Sequence, residues 1–231
     1  MDARVVVFVA GTMIVVVFLA WATYKTHLLL REIRLEQNLL LVPAENLVRL
    51  GLIAICVWLG LISGQPRAQL GWVVGDPAQD LATGFFVGMI VAAILPPLTR
   101  WAVTRFGRGI YSPIVIRAIL PRSRREWILV PLALIQSVVL KELLFRSLVP
   151  GGFSDFVSPL VIALGASVLF GAMHVPQGAL GIVVATLLSV LLCVLFGITR
   201  NVIAPLTAHY VIDAVQIAWA SVDREWLEGW G

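Results

Sequence analysis

The chain has 231 residues, of which 60% are hydrophobic and only 13% charged, and its mean hydropathy is +0.96. A soluble domain carries about 25% charged residues, so this composition excludes a water-facing globular surface and leaves lipid as the solvent for most of the chain. The net charge of +4 comes mainly from arginines lying between apolar runs, a pattern suited to lipid headgroups and membrane topology, and no nucleic-acid partner is expected.

A hydrocarbon core of about 30 Å needs roughly 20 apolar residues per helix. Seven stretches approach that length: Val5 to Trp21, Leu47 to Gly64, Leu81 to Leu98, Trp127 to Val149, Phe156 to Met173, Ala179 to Phe196, and Val202 to Trp219. The expected fold is an all-α, polytopic transmembrane bundle of about seven helices enclosing an intramembrane polar cavity. The first stretch ends in Ala20-Trp21-Ala22, a small-x-small pattern, but its basic flank is Arg4 alone with Asp2 before it; an uncleaved span is expected. From Tyr24 to Val42, charges alternate with Leu28, Leu29, Ile33, Leu35 and Leu39. This spacing predicts a helix that leaves the membrane or lies on its surface. Pro43 is expected to end it, with Glu45 and Asn46 capping the next helix. Cys56 and Cys193 lie inside apolar runs and read as small buried hydrophobes. The expected division is an N-terminal helix with its charged extension over 1–46, a membrane domain over 47–220 and an interfacial tail over 221–231.

Orientation follows from the basic residues. The connection from Thr99 to Glu126 holds seven arginines and one acid, and Thr23 to Arg49 adds Lys25, Arg31, Arg34 and Arg49, whereas the opposite side has Arg4, Arg67 and Arg200. The positive-inside rule puts the arginine connection in the cytoplasm, the N-terminus outside and, after an odd number of spans, the C-terminus in the cytoplasm. Trp219, Trp226 and Trp230 then suit a headgroup belt. The expected location is integral, multi-pass, in the plasma membrane of a prokaryote. Pro150-Gly151-Gly152 reads as the turn between the fourth and fifth spans.

Ionisable groups inside a span cost roughly 2.5–3.5 kcal/mol each on insertion scales, so they mark function or pair with one another. Lys141, Glu142 and Arg146 lie in the fourth stretch, His174 ends the fifth, and His209 and Asp213 lie in the seventh. Glu142 and Arg146 are four apart, as are Phe170 and His174, and His209 and Asp213, so each pair shares a helix face. Glu142, His209 and Asp213 are expected at similar depth. His174 joins them if its helix continues past Pro176. A neutral structural network of two cations and two anions is one reading. Two imidazoles at membrane depth favour acid–base chemistry instead.

These motifs resemble the CPBP family of CAAX proteases and bacteriocin-processing enzymes. Its pattern is Glu-Glu-x-x-x-Arg, then Phe-x-x-x-His, then His-x-x-x-Asn. Here the three read Lys141-Glu142-Leu143-Leu144-Phe145-Arg146, Phe170-Gly171-Ala172-Met173-His174, and His209-Tyr210-Val211-Ile212-Asp213. The resemblance spans roughly Leu47 to Trp219. It implies an intramembrane endopeptidase that hydrolyses peptide bonds with an activated water. It assigns His174 to water activation and His209 and Asp213 to the oxyanion, with Arg146 as ion-pair partner of Glu142 or as a substrate anchor. The implied partners are membrane lipids and a peptide or protein substrate entering from the membrane. Two positions depart: Lys141 replaces the first Glu, and Asp213 replaces Asn. A protonated amine cannot accept a proton, and an ionised Asp repels an oxyanion. The two changes together suggest an ion pair between the fourth and seventh helices. Glu142 would then serve as the base, or the chain would be a catalytically degenerate homologue acting as a scaffold or partner protein.

No cofactor is expected. Zinc is the alternative that the donor types of Glu142, His174, His209 and Asp213 allow, although His-Glu-x-x-His is absent from the sequence. Gly165-Ala166-Ser167-Val168 lacks the second Gly of a rhomboid nucleophile motif, so Ser167 reads as a packing residue. A transporter would use its intramembrane charges as a path, but no inverted repeat or pair of broken helices is visible.

Overall fold

The computed structural model describes residues 2–32 and 37–229. Ile33, Arg34 and Leu35 of the expected amphipathic segment, Trp230 of the tail, and the side chain of Arg31 lie outside the described residues. The architecture is all-helical: α1 (Ala3–Glu32), α2 (Pro43–Ile62), α3 (Pro77–Phe106), a short α4 (Ile114–Ile119), α5 (Glu126–Glu142) continued by a π-helical stretch (Leu143–Gly151), α6 (Pro159–Ala172), α7 (Gly178–Thr199), α8 (Ile203–Val222) and a short α9 (Arg224–Glu228).

Each of the seven apolar stretches is helical, yet among the described residues five segments are both long and apolar enough to cross a bilayer: Ala3–Leu30, Pro43–Ile62, Pro77–Phe106, Glu126–Gly151 and Val175–Thr199. α6 has 14 residues and rises only about 21 Å, and α8 carries His209, Asp213 and Gln216 along its length. The protein is an integral membrane protein by this pattern. Its large outward hydrophobics, such as Ile14, Leu47, Phe86 and Ile198, are exposed as a lipid-facing surface requires.

The helices pack through narrow stripes. On α1, Phe8, Thr12, Val15 and Val16 are buried, a helical spacing that turns one face inward. Phe8 meets Phe153 with ring centroids 5.3 Å apart. On α2 the inward stripe is Leu52, Cys56, Leu59 and Gly60. The most extensive pairing is α3 with α8, and small residues make it possible. A Cβ at Gly84 would stand 2.4 Å from the Ala204 carbonyl oxygen, and one at Gly88 would stand 2.8 Å from Val211 Cβ. In lipid no hydrophobic force drives helices together, so close backbone approach and dispersion set such contacts. The same interface carries a polar bond: Asn201 Nδ2 donates to Asp80 Oδ2 at 2.7 Å, with both residues buried.

Several local expectations are corrected. Pro43 begins α2 rather than ending the preceding segment, because its absent N–H and fixed φ suit the first helical position. The cap comes earlier: Asn38 Oδ1 accepts from Leu40 N at 3.0 Å and nucleates a 3-10 turn over Leu39–Leu41. Val42, the residue before α2, makes no side-chain cap; Glu45 instead pairs with Arg49 at 3.7 Å. Pro150 and Gly151 lie inside the π-helical stretch, and the turn falls at 154–156. α6 does not run past Pro176; it stops at Ala172, and His174 opens a 3-10 turn, Val175–Gln177, that leads into α7.

The arginine connection folds back on the tail. Arg100 pairs with Asp223, Arg108 and Arg117 donate to the carbonyls of Gly229 and Leu227, and Arg224 donates to Pro121 O at 2.8 Å. Tyr111 meets Trp226 with ring centroids 5.9 Å apart.

Candidate functional site

Three elements bring the motif residues together. The end of α5 supplies Lys141 and Glu142, and the π-helical stretch that starts at the next residue supplies Arg146. Five consecutive residues of that stretch, Leu144 to Leu148, are fully buried, so it is enclosed on all sides. α8 supplies His209 and Asp213 four residues apart, and the α6–α7 junction supplies His174.

Glu142 is at the centre. Its Oε1 lies 2.5 Å from His209 Nδ1, and its Oε2 lies 3.1 Å from Arg146 Nε, with Glu142 and Arg146 both 0% exposed. A carboxylate can only accept, so His209 Nδ1 carries the proton of that bond, leaving Nε2 to face Asp213 Oδ2 at 3.5 Å. The Arg146–Glu142 contact is close but not aligned as a hydrogen bond; it is an ion pair in a site without water-like screening. Arg146 also lies over the Phe170 ring, 5.3 Å from its centroid, a cation–π contact.

Phe170 joins the two histidines. Its ring centroid is 4.9 Å from that of His174 and 5.8 Å from that of His209, and Phe145 packs edge-on at 5.2 Å. The first residue of the second motif thus touches both imidazoles. His174 Nδ1 lies 2.8 Å from the Phe170 carbonyl oxygen. Since a carbonyl only accepts, Nδ1 is the protonated nitrogen and Nε2 is left as the acceptor.

A cavity of about 390 Å³ opens beside this cluster, and Lys141, His174 and Asp213 line it together with Phe145 and Phe170. Glu142, Arg146 and His209 do not border it. Lys141 Nζ stands 4.0 Å from Asp213 Oδ2, and the two side chains are 28% and 29% exposed. This is the contact between the fourth and seventh apolar helices suggested by the paired departures from the motif. From the cluster the cavity extends between α1, α2 and α3, past Arg49, to Arg100, Asp223 and Trp226 near the arginine connection.

All five expected site residues therefore lie in or against one connected cluster, Arg146–Glu142–His209–Asp213 with His174 one ring away. Sequence reasoning passed over Lys141 as a cavity-lining group and Asp80 as a buried acid. Asp80 immediately precedes the Leu81 to Leu98 stretch, and its spacing of four from Gly84 and eight from Gly88 puts it on the same helix face.

The donor set does not fit a divalent cation. Glu142 is committed to His209 and Arg146, His174 Nδ1 to a carbonyl, and the ammonium of Lys141 sits against Asp213. Among the described residues no group of three or more His, Cys, Asp or Glu side chains is placed to hold a metal ion.

Residues 123–215 match the family described as type II CAAX prenyl endopeptidase Rce1-like. The matched stretch contains all three motifs, and it bears out the resemblance to the CPBP family. α1, α2 and α3 lie outside it. No curated protein and no solved structure matches the chain.

Proposed function

We propose that this chain is an intramembrane endopeptidase of the CAAX type that hydrolyses a peptide bond at the wall of the cavity formed by Lys141, His174 and Asp213. The observation that carries the reading is the pair of imidazoles that both contact the Phe170 ring, one bonded to the Glu142 carboxylate and the other lining the cavity. His174 Nε2 is an acceptor on the path of the proton that leaves water. His209 lies on the oxyanion side with its Nδ1–H held by Glu142, and Arg146 holds Glu142 in turn. Asp213 borders both the histidine and the cavity. Membrane lipids surround the helices, and the substrate peptide enters the cavity from the bilayer. The basic connection lies in the cytoplasm with the C-terminus, and the N-terminus lies outside; the membrane is the plasma membrane of a prokaryote.

The test compares purified wild type in proteoliposomes with His174→Ala and Glu142→Ala, using a farnesylated CAAX peptide bearing a fluorophore and quencher around the scissile bond. Cleavage by wild type that falls at least about 100-fold in each variant supports the reading; undiminished cleavage by His174→Ala refutes it. A second reading rests on the Lys141–Asp213 contact: a homologue whose site is closed by an ion pair and which serves as a scaffold. Activity that appears in Lys141→Glu and is absent from wild type would favour it.

A further inference from the structure

We propose that Lys141 and Asp213 have exchanged chemical roles across the α5–α8 contact: Asp213 is the carboxylate that takes the proton from water, and Lys141 is the donor that receives the oxyanion. The inference rests on the endopeptidase reading above and concerns residues that the reading leaves without a chemical step.

The argument starts from exposure. A general base has to reach the water, and the one carboxylate in the cluster that borders the cavity is Asp213, 29% exposed, while Glu142 is 0% exposed and held on both oxygens. Asp213 Oδ2 sits between His209 Nε2 at 3.5 Å and Lys141 Nζ at 4.0 Å. Its Oδ1 takes no part in either contact. His174, whose acceptor nitrogen is fixed by the Phe170 carbonyl, lines the same cavity and lies within electrostatic reach of both Lys141 and Asp213.

Lys141 supplies the complementary group. An ionised Asp213 cannot donate to an oxyanion, so a donor is needed elsewhere, and the ammonium beside it has three N–H bonds. A charge-assisted bond to a developing oxyanion is roughly twice as strong as a neutral one. The motif resemblance places an acid on α5 and an amide donor on α8; this chain has a donor on α5 and an acid on α8. The inventory of one cavity-facing carboxylate, one donor and two imidazoles is conserved in kind, with two positions interchanged.

The step balances. Asp213 accepts a proton from water, and the hydroxide oxygen bonds to the scissile carbonyl carbon. The carbonyl π pair moves onto oxygen, facing the Lys141 ammonium. Collapse restores C=O and breaks C–N. The proton held by Asp213 passes through His174 Nε2 to the leaving nitrogen, releasing an amine and a carboxylic acid, and Asp213 returns to its carboxylate.

The experiment uses the same farnesylated, quenched CAAX peptide in proteoliposomes with wild type, Asp213→Asn, Lys141→Glu, the Lys141→Glu/Asp213→Asn double variant, and Lys141→Arg beside Lys141→Met. Loss of the base and loss of an oxyanion donor each remove about 100-fold or more in kcat/KM. The expected pattern is a 100-fold loss in each of the first two single variants and a recovery of at least tenfold in the double variant, which restores acid and amide in the opposite arrangement. Lys141→Arg should stay within about tenfold of wild type, whereas Lys141→Met should fall with the other losses. The Lys141→Arg and Lys141→Met pair also guards against misfolding, since a merely structural role for the aliphatic stem would be kept by Met. The proposal is overturned if Asp213→Asn stays near wild type, if Lys141→Met matches Lys141→Arg, or if Lys141→Glu exceeds wild type. In each of those cases the endopeptidase reading still stands as long as wild type itself cleaves the peptide. Absence of cleavage in wild type and every variant overturns both.

Discussion

Replacing either member of the buried Glu142–Arg146 pair should unbalance the protein more than replacing both. Both side chains are 0% exposed and 3.1 Å apart at Nε and Oε2, so no solvent screening discounts the interaction. Removing one partner of such a pair costs about 3–5 kcal/mol, chiefly because an uncompensated charge stays buried. The two single variants should not be equal. Arg146→Met leaves Glu142 the bond from His209 Nδ1 at 2.5 Å, which puts the cost near the lower bound, about 3 kcal/mol. Glu142→Gln leaves a guanidinium whose Nη1 and Nη2 have no hydrogen-bond partner among the described residues and whose remaining support is the Phe170 face, so its cost should approach about 5 kcal/mol. The double variant, with no buried charge on that face, should be more stable than Glu142→Gln alone by at least about 2 kcal/mol. Equilibrium unfolding in mixed micelles, followed by tryptophan fluorescence, would measure the cycle, since the chain has 8 Trp. Additive single effects, or single losses below about 1 kcal/mol, would refute the argument that these residues form an isolated buried ion pair.

Gly84→Ala should lower stability by about 1–3 kcal/mol because its Cβ meets the Ala204 carbonyl oxygen, a backbone atom that cannot move aside alone; Gly51→Ala, with nothing within 4 Å, should be neutral or stabilising in the same thermal unfolding assay. Phe170→Ala removes a ring that is 3% exposed and touches both imidazoles, and should cost about 3–5 kcal/mol, with Phe170→Leu recovering most of the stability but not the turnover. Burial raises the Tyr111 phenol from 10 to about 12, with Arg117 opposing. The folded state therefore keeps a proton that the unfolded state loses between pH 10 and about 12. Stability from this residue is complete below pH 10 and is lost as the pH climbs through that window. Tyr111→Phe should flatten the decline, as measured by unfolding midpoints across the range.

Much of this molecule is visible in its hydropathy. The seven apolar stretches are helices because uninterrupted runs of Val, Leu and Ile near 20 residues leave a backbone in lipid no other way to satisfy itself. The motif residues were legible too, because ionisable groups are conspicuous in such runs, and pairing Lys141 with Asp213 required only that opposite charges meet. What the chain hid depends on angle and register. Lys141 and Glu142 are neighbours in sequence and point about 100° apart around a helix, and that difference decides which one sees the cavity. The π-helical stretch after Glu142 has no periodic signature, since Leu143 to Val149 is apolar at nearly every position. The end of α6 at Ala172 follows from the 3-10 turn around Pro176, and no composition rule separates it from a kinked continuous helix.

The glycine-to-carbonyl approach between α3 and α8 bears on how small a functional piece could be. α8 holds His209 and Asp213 on one side and rests its backbone against Gly84 and Gly88 on the other, yet α3 lies outside the stretch that matches the endopeptidase family. A fragment trimmed to residues 123–215 would keep every motif and lose the surface that fixes the depth and rotation of α8. The motif residues and the ruler that spaces them are thus written in different parts of the chain.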